Sequence, residues 1–214
     1  MFLVKNFKDT QKAELDSWFS KDSRIENEKR LREIIRYPLL KKQMGLDNLD
    51  TSDMKIWDIG CGPYGGVSTL LHGKLIQRID PLMDEFTKHY PIQNGLAIKA
   101  EELDLSLPDL VIVTNALDHF ENPTLFLEKL AAQLRPGAYF AHVHAINNAY
   151  SHPHEAHAHN VNPELFREYL HDDFETVWYM DYTQDYLTYG WRKQPAFSGL
   201  YRKVTGYNTT ASQH

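Results

Sequence analysis

The chain has 214 residues, 42% of them hydrophobic and 24% charged, a balance that suits a folded globular protein and excludes a disordered body. Its formal charge is -6 and its Lys and Arg residues are scattered, so no basic stripe can track a phosphate backbone and nucleic acid is a disfavoured partner. The only cysteine, Cys61, excludes an internal disulfide, and no apolar run approaches the roughly 20 residues that span a bilayer; a cytoplasmic protein without a membrane segment is expected.

Residues 8–44 place Leu15, Trp18 and Phe19, then Leu31, Ile34, Ile35 and Leu39, at helical spacing among Lys, Glu and Arg. Two amphipathic helices are expected, with Pro38 breaking or re-aiming the second. The polar stretch 45–52 is the best boundary, dividing a helical lid over 1–50 from a main domain over 51–206. A polar tail over 207–214 follows and should fray.

From Met54 the pattern changes to short apolar runs, at 54–59, 74–79, 109–114 and 138–143. Helices expected over 66–72, 81–89 and 123–134 lie between them, which is the alternation of a parallel sheet with crossovers. Pro136-Gly137 stops the third helix, and Asn162 with Pro163 opens another over 162–170. Late strands are expected over 174–179 and 197–204.

The first run leads directly into glycines and then a helical pattern, M-K-I-W-D-I-G-C-G-P-Y-G-G-V-S-T-L-L. Gly60 and Gly62 let the backbone turn sharply and approach a ligand with no Cβ in the way. The second run ends at Asp80, 22 residues after Asp58 (80 minus 58), where nucleotide-binding sheets place an acid for a ribose diol. Taken alone the glycines are a common tight turn; the pairing with Asp80 makes the segment specific.

Asp58-Ile59-Gly60-Cys61-Gly62, Leu117-Asp118-His119 and Leu134-Arg135-Pro136-Gly137-Ala138 stand in one order and spacing. In this the chain resembles the class I S-adenosylmethionine-dependent methyltransferases, with their D-x-G-C-G motif, later L-x-H, helix and L-x-P-G-G. The resemblance covers roughly residues 54–146 and continues more weakly to Val204. It implies an α/β, Rossmann-like, mostly parallel seven-stranded sheet sandwiched by helices, with S-adenosylmethionine as cofactor and S-adenosylhomocysteine as product. On the same likeness Gly60, Cys61 and Gly62 pass under the methionine end, Asp58 organises the amino group and Asp80, followed by Pro81, holds the ribose. Ala100 and Glu101 border the adenine, and Asn115 flanks the sulfonium. Two positions depart from the family pattern: Gly65-Gly66 displace the third glycine, and Lys99 stands where an acid often precedes the adenine edge.

Eleven histidines are many for this length, and His142, His144, His152, His154, His157 and His159 fall within eighteen positions. No pair has a zinc-enzyme spacing such as H-E-x-x-H and no cysteine joins the cluster, so no metal is expected. Leu117-Asp118-His119-Phe120-Glu121-Asn122-Pro123 and His152-Pro153-His154 resemble a subgroup that methylates small molecules and glycans. That likeness makes His119 and His154 the preferred candidates for a general base, with His144 next. A structural hydrogen bond at a helix start explains His119 equally well. The expected activity is methyl transfer to a small-molecule or saccharide acceptor, at oxygen. Two alternatives remain: a degenerate domain that binds the nucleoside or a partner without turnover, and a nicotinamide-dependent Rossmann oxidoreductase. Oligomeric state is not legible.

Overall fold

The computed structural model describes residues 7–19, 32–145, 159, 161–181, 188–189, 192–193 and 196–204. A seven-stranded sheet organises them. In chain order the strands are β1 (Lys55–Ile59), β2 (Leu75–Ile79), β3 (Gly95–Leu96), β4 (Leu110–Thr114), β5 (Tyr139–Ala145), β6 (Phe174–Asp181), β7 (Thr188–Tyr189), β8 (Arg192–Lys193) and β9 (Ala196–Lys203). The sheet runs β3-β2-β1-β4-β5-β9-β6, and β7 pairs with β8 separately. Its first five strands are parallel; β9 enters antiparallel to both β5 and β6.

Side chains alternate between two apolar layers, as a period of two requires. On β4, Leu110 and Ile112 face one layer while Val111 and Val113 face the other; on β5, Ala141 and Val143 oppose Phe140. Such runs suit a sheet covered on both faces. Among the described residues the helices are α1 (Phe7–Phe19), α2 (Tyr37–Gln43), α3 (Met83–Phe86), α4 (Pro123–Gln133) and α5 (Pro163–Leu170). Phe126, Leu127 and Leu130 of α4, with Phe166 and Leu170 of α5, cover one face. Tyr37, Leu40 and Met44 cover the other, with Tyr64, Val67 and Leu71. Full burial of such side chains contributes about 1.5 to 3 kcal/mol each, so the two layers dominate the stability.

Local signals explain the helix ends. Asn122 and Asn162 each accept a hydrogen bond from the backbone N–H three residues on, and a proline follows each cap. Arg32–Arg36 forms a wide π turn that gives way to α2 where Pro38 sits in the first helical turn. One expected helix is replaced: 66–72 holds only a short 3-10 turn at Val67–Leu70. Ser68 and Thr69 hydroxyls donate back to the carbonyls of Gly65 and Gly66, and this local bonding competes with helix propagation. The Lys203 ammonium, fully buried at the end of β9, donates to the Ala131 carbonyl at 2.5 Å and pairs with Asp173 at 3.3 Å. A buried charge persists only with partners of this kind.

Among the described residues no helix is long and apolar enough to cross a membrane. The parallel strands β1, β2 and β4 all end at one edge, where Gly60, Asp80 and Asn115 follow them. Helix α1 reaches residues along that edge: Phe7 lies under the Lys99 ammonium at 4.9 Å, Glu14 meets His119, and Phe19 meets His89 at 4.5 Å.

Candidate functional site

The turn after β1 is a backbone device. Gly60 has φ 70 and Gly62 φ 65, in the left-handed region where a side chain is strained. A Cβ on Gly60 would collide with that of Ala116 at the end of β4, whereas one on Gly62 would lie 3.7 Å from the Trp18 ring of α1. The Gly60 N–H donates to the Ile79 carbonyl at 2.7 Å, which pins the turn against the end of β2. Cys61 is buried between the two glycines, and burial first of all pushes its thiol well above the usual range, so it is inert at neutral pH.

Asp80 bridges the two strand ends. Its Oδ2 accepts from the Gly62 N–H at 3.1 Å and its Oδ1 from the Leu82 N–H at 3.0 Å. Each carboxylate oxygen retains lone-pair capacity for a further donor, as a vicinal diol would supply. Burial raises its pKa, the Glu14 carboxylate adds to the rise, and the two N–H donors oppose it. Pro81 beside it is exposed. Asp58 is fully buried; its Oδ2 accepts from the Ser68 N–H at 2.9 Å, and its Oδ1 has no hydrogen-bond partner among the described residues. Burial pushes its pKa up to about 6, against the Ser68 hydrogen bonds and the Arg78 guanidinium. A buried orphan acceptor on a carboxylate matches an ammonium ligand.

Asn115 has φ 47, and its Oδ1 accepts from the Ala145 N–H at 3.1 Å, tying the ends of β4 and β5 together. Its side chain is committed to that tie, which leaves its backbone as the surface presented at the strand end. Ala100 is buried in the core. The Glu101 carboxylate accepts from the Asn122 N–H at 2.7 Å, at the start of α4.

The histidines separate. His119, partly exposed, has its Nδ1 3.5 Å from Glu14 Oε2 and its Nε2 3.6 Å from Asp118 Oδ1. His144 is buried in an aromatic stack with its centroid 5.3 Å from His142 and 5.5 Å from Phe166. None of the ring nitrogens of these two buried histidines has a hydrogen-bond partner among the described residues. Burial lowers the His144 pKa to about 4, with the Asp118 carboxylate opposing and His119 adding to the fall. His154 lies outside the described residues, as do His152 and His157. Among the described residues, no three His, Cys, Asp or Glu side chains are grouped to hold a metal.

The depressed His144 pKa has a measurable consequence. A group that resists its proton in the folded state contributes stability in full above its unfolded pKa of about 6.5, and that contribution falls away as pH drops towards 4. His144→Leu should therefore weaken the acid sensitivity of folding by about 2 kcal/mol between pH 6.5 and 4.5. Denaturant unfolding of both proteins at the two pH values checks this, and identical slopes would contradict it. Asp58 and Asp80 titrate in both proteins and cancel in the comparison.

Some residues at the edge have no motif to announce them. Trp18 packs on Tyr64 at 5.6 Å, and the Arg32 guanidinium lies 4.6 Å from the Trp18 ring and 5.6 Å from that of Tyr64. A cation therefore stands beside the glycine turn. Sequence reasoning noted Trp18 as an apolar helix position and missed Glu14 and Arg32, because charged residues on an amphipathic helix ordinarily face water.

No family model matches the chain, and no curated protein matches it by sequence. Its fold does match solved structures. The N-methyltransferase NodS from Bradyrhizobium japonicum, in complex with S-adenosyl-L-homocysteine, is 16% identical with TM-score 0.58, over 79% of this chain and 86% of that one. An S-adenosylmethionine-dependent methyltransferase from Mesorhizobium loti is 13% identical with TM-score 0.60, over 81% of this chain and all of that one (100%). The cyclase SpnF is 14% identical with TM-score 0.55, over 79% and 81% of the two chains. Identities this low speak to architecture, and one architecture hosts several chemistries. The strand order, the single antiparallel entry of β9 and these likenesses agree: the chain has the Rossmann-like fold of the class I S-adenosylmethionine-dependent methyltransferases.

Proposed function

We propose that the protein transfers a methyl group from S-adenosylmethionine to an oxygen of a small molecule or saccharide, with S-adenosylhomocysteine as product. The observation that carries this reading is the convergence of Asp58, Asp80 and the Gly60–Gly62 backbone at one edge of the parallel sheet. The orphan Oδ1 of Asp58 suits the ammonium group of the cofactor, the two Asp80 oxygens suit its ribose diol, and the bare backbone at Gly60 and Gly62 admits its methionine chain. Arg32, beside Trp18 and Tyr64, supplies a cation for its carboxylate. NodS, a fold neighbour, is an N-methyltransferase seen with S-adenosyl-L-homocysteine, which supports the cofactor and leaves the acceptor atom to chemistry.

When bound, the cofactor supplies an electrophilic methyl group on a positively charged sulfur. The chain aligns an acceptor hydroxyl in line with the sulfur–carbon bond, keeps water out and takes one proton. As the acceptor oxygen takes up that methyl group, its hydroxyl proton would pass to His119. His119 is preferred because it is partly exposed at the edge that α1 covers. His154 stays a candidate on its sequence alone, and His144 is too deeply buried to exchange protons with an acceptor. Helix α1 serves as the lid. The net charge of -6 argues for a non-nucleic-acid acceptor, and a lone thiol suits the cytoplasm.

Calorimetry with S-adenosylhomocysteine tests the site. Wild type should bind, and Asp80→Ala should weaken binding by about 100-fold, the loss of two hydrogen bonds to a charged acceptor at about 1.5 kcal/mol each. No binding to wild type would overturn the reading. Binding without label transfer from a methyl-labelled cofactor to any cell-extract fraction would favour a binding module.

A further inference from the structure

Helix α5 docks on two histidines. His142 and His144 project from the same face of β5, their rings 19° from parallel with centroids 5.3 Å apart. Phe166 of α5 meets both, at 4.1 Å from His142 and 5.5 Å from His144, while Phe197 and Tyr201 of β9 flank His142 at 5.2 Å and 5.6 Å. Both rings are buried, and none of their four nitrogens has a hydrogen-bond partner among the described residues. A proton on either ring would create a cation with no acceptor for its N–H groups, which is costly away from water. The groups that face the pair come from three elements. Asp118 and His119, in the turn after β4, act on His144 with opposite signs, the carboxylate favouring a proton there and the imidazole opposing it. Tyr201 of β9 has its pKa raised by burial and stays neutral in acid; Arg167 of α5 acts on Tyr201.

We propose that α5 is an acid-released element: when His142 and His144 take up protons, the helix leaves the sheet while β1 and β4 keep their structure. Release lifts Phe166 and Leu170 off this face and gives both imidazoles water, so protons bind the released form in preference to the docked one. Burial lowers the pKa of both rings, so the docked form has its full advantage above about pH 6.5 and loses it as pH falls. Asp58 and Asp80 respond with the opposite sign. Burial raises their pKa, so they hold protons more tightly in the folded chain, which opposes whole-chain unfolding as pH falls from 7 to 5. Acid thus loosens one helix and spares the ends of β1 and β2. The inference does not depend on the function proposed above.

Amide hydrogen exchange of the full chain without cofactor, at pH 7, 6 and 5, tests this, each rate being divided by its intrinsic rate to give an opening constant. Each imidazole set free should raise the α5 opening constant by about 25-fold between pH 7 and pH 5, and the two together by about 600-fold. Amides of β1 and β4 should rise by less than about tenfold, because Asp58 and Asp80 offset the histidines there. His144→Leu and His142→Phe should each keep only the single-ring rise of about 25-fold in α5. A wild-type rise of about 25-fold or less, a rise in step with β1 and β4, or a rise of about 600-fold that survives either substitution overturns the proposal. The wild-type profile decides by itself if a variant fails to fold. Failure of S-adenosylhomocysteine to bind would count against the methyl-transfer reading and leave this result standing.

Discussion

Gly60→Val is expected to lower the folding free energy by about 3 kcal/mol or more and to weaken S-adenosylhomocysteine binding by at least about 100-fold. Two costs add. The φ of 70 is a left-handed conformation that a β-branched residue adopts only under strain, at about 1 to 3 kcal/mol. The new side chain must also displace Ala116, whose Cβ occupies the space where a Cβ at position 60 would stand. Ala116 directly follows Asn115, so relief of the clash would part the ends of β1 and β4 where the ligand is proposed to lie. Gly137→Ala is the control, because φ there is 86 and nothing lies within 4 Å of an added Cβ. It should cost about 1 to 2 kcal/mol through strain alone and leave binding unchanged. Denaturant unfolding and calorimetry read both quantities, and equal effects of the two substitutions would refute the assigned clash.

Asp58→Asn is expected to act with opposite signs on stability and on binding. The Asp58 pKa, raised to about 6 by burial, means that the folded state holds its proton more tightly than the unfolded state does. For a raised pKa the favourable contribution is complete below about 3.8 and is lost as pH rises through 6. At neutral pH the protein thus carries a buried charge that asparagine does not. The stability of Asp58→Asn relative to wild type should rise by about 3 kcal/mol between pH 4 and pH 7, two pH units of linkage at about 1.4 kcal/mol each. The amide oxygen can still accept from the Ser68 N–H, so the local turn survives. Binding should weaken by at least about tenfold, because the charge proposed to face the cofactor's ammonium is gone. A variant that binds as wild type does would remove Asp58 from the site, whatever its stability. Both outcomes together would make Asp58 a case of the usual trade between activity and stability.

The fold was largely legible because it rests on local chemistry. The runs at 54–59, 74–79, 109–114 and 138–143 are β1, β2, β4 and β5 to within two residues, because strands inside a covered parallel sheet are mostly apolar. Helices α4 and α5 follow their Asn-Pro signals. Strand β3 escaped notice: it is two residues, Gly95 and Leu96, with no pattern of its own, and is held by pairing with β2. The turn at Val67–Leu70 carries a helical apolar pattern that loses to hydroxyl back-bonds.

The site divides in the same way. The left-handed turn at Gly60 and Gly62 and the acid at position 80 beside it could be read in advance, since a sharp turn demands glycine at a particular strand end; the ribose contact of Asp80 is the proposal. What spacing cannot carry is depth and approach. His142 and His144 alternate with Val143 on one strand and look as available as His119, yet the face they share is the one that α5 covers, so both are buried.

What the sequence determined by itself was the order of elements, the glycine turn and the identity of the acids beside it, because these depend on residues adjacent in the chain or one crossover apart. Only the tertiary structure decided that Glu14 would stand beside His119, 105 positions away (119 minus 14), and that Arg32 would stack over Trp18. The physical reason is that helix α1 has its register set by packing across the open edge of the sheet, and contacts between elements distant in sequence leave no periodic trace in either one.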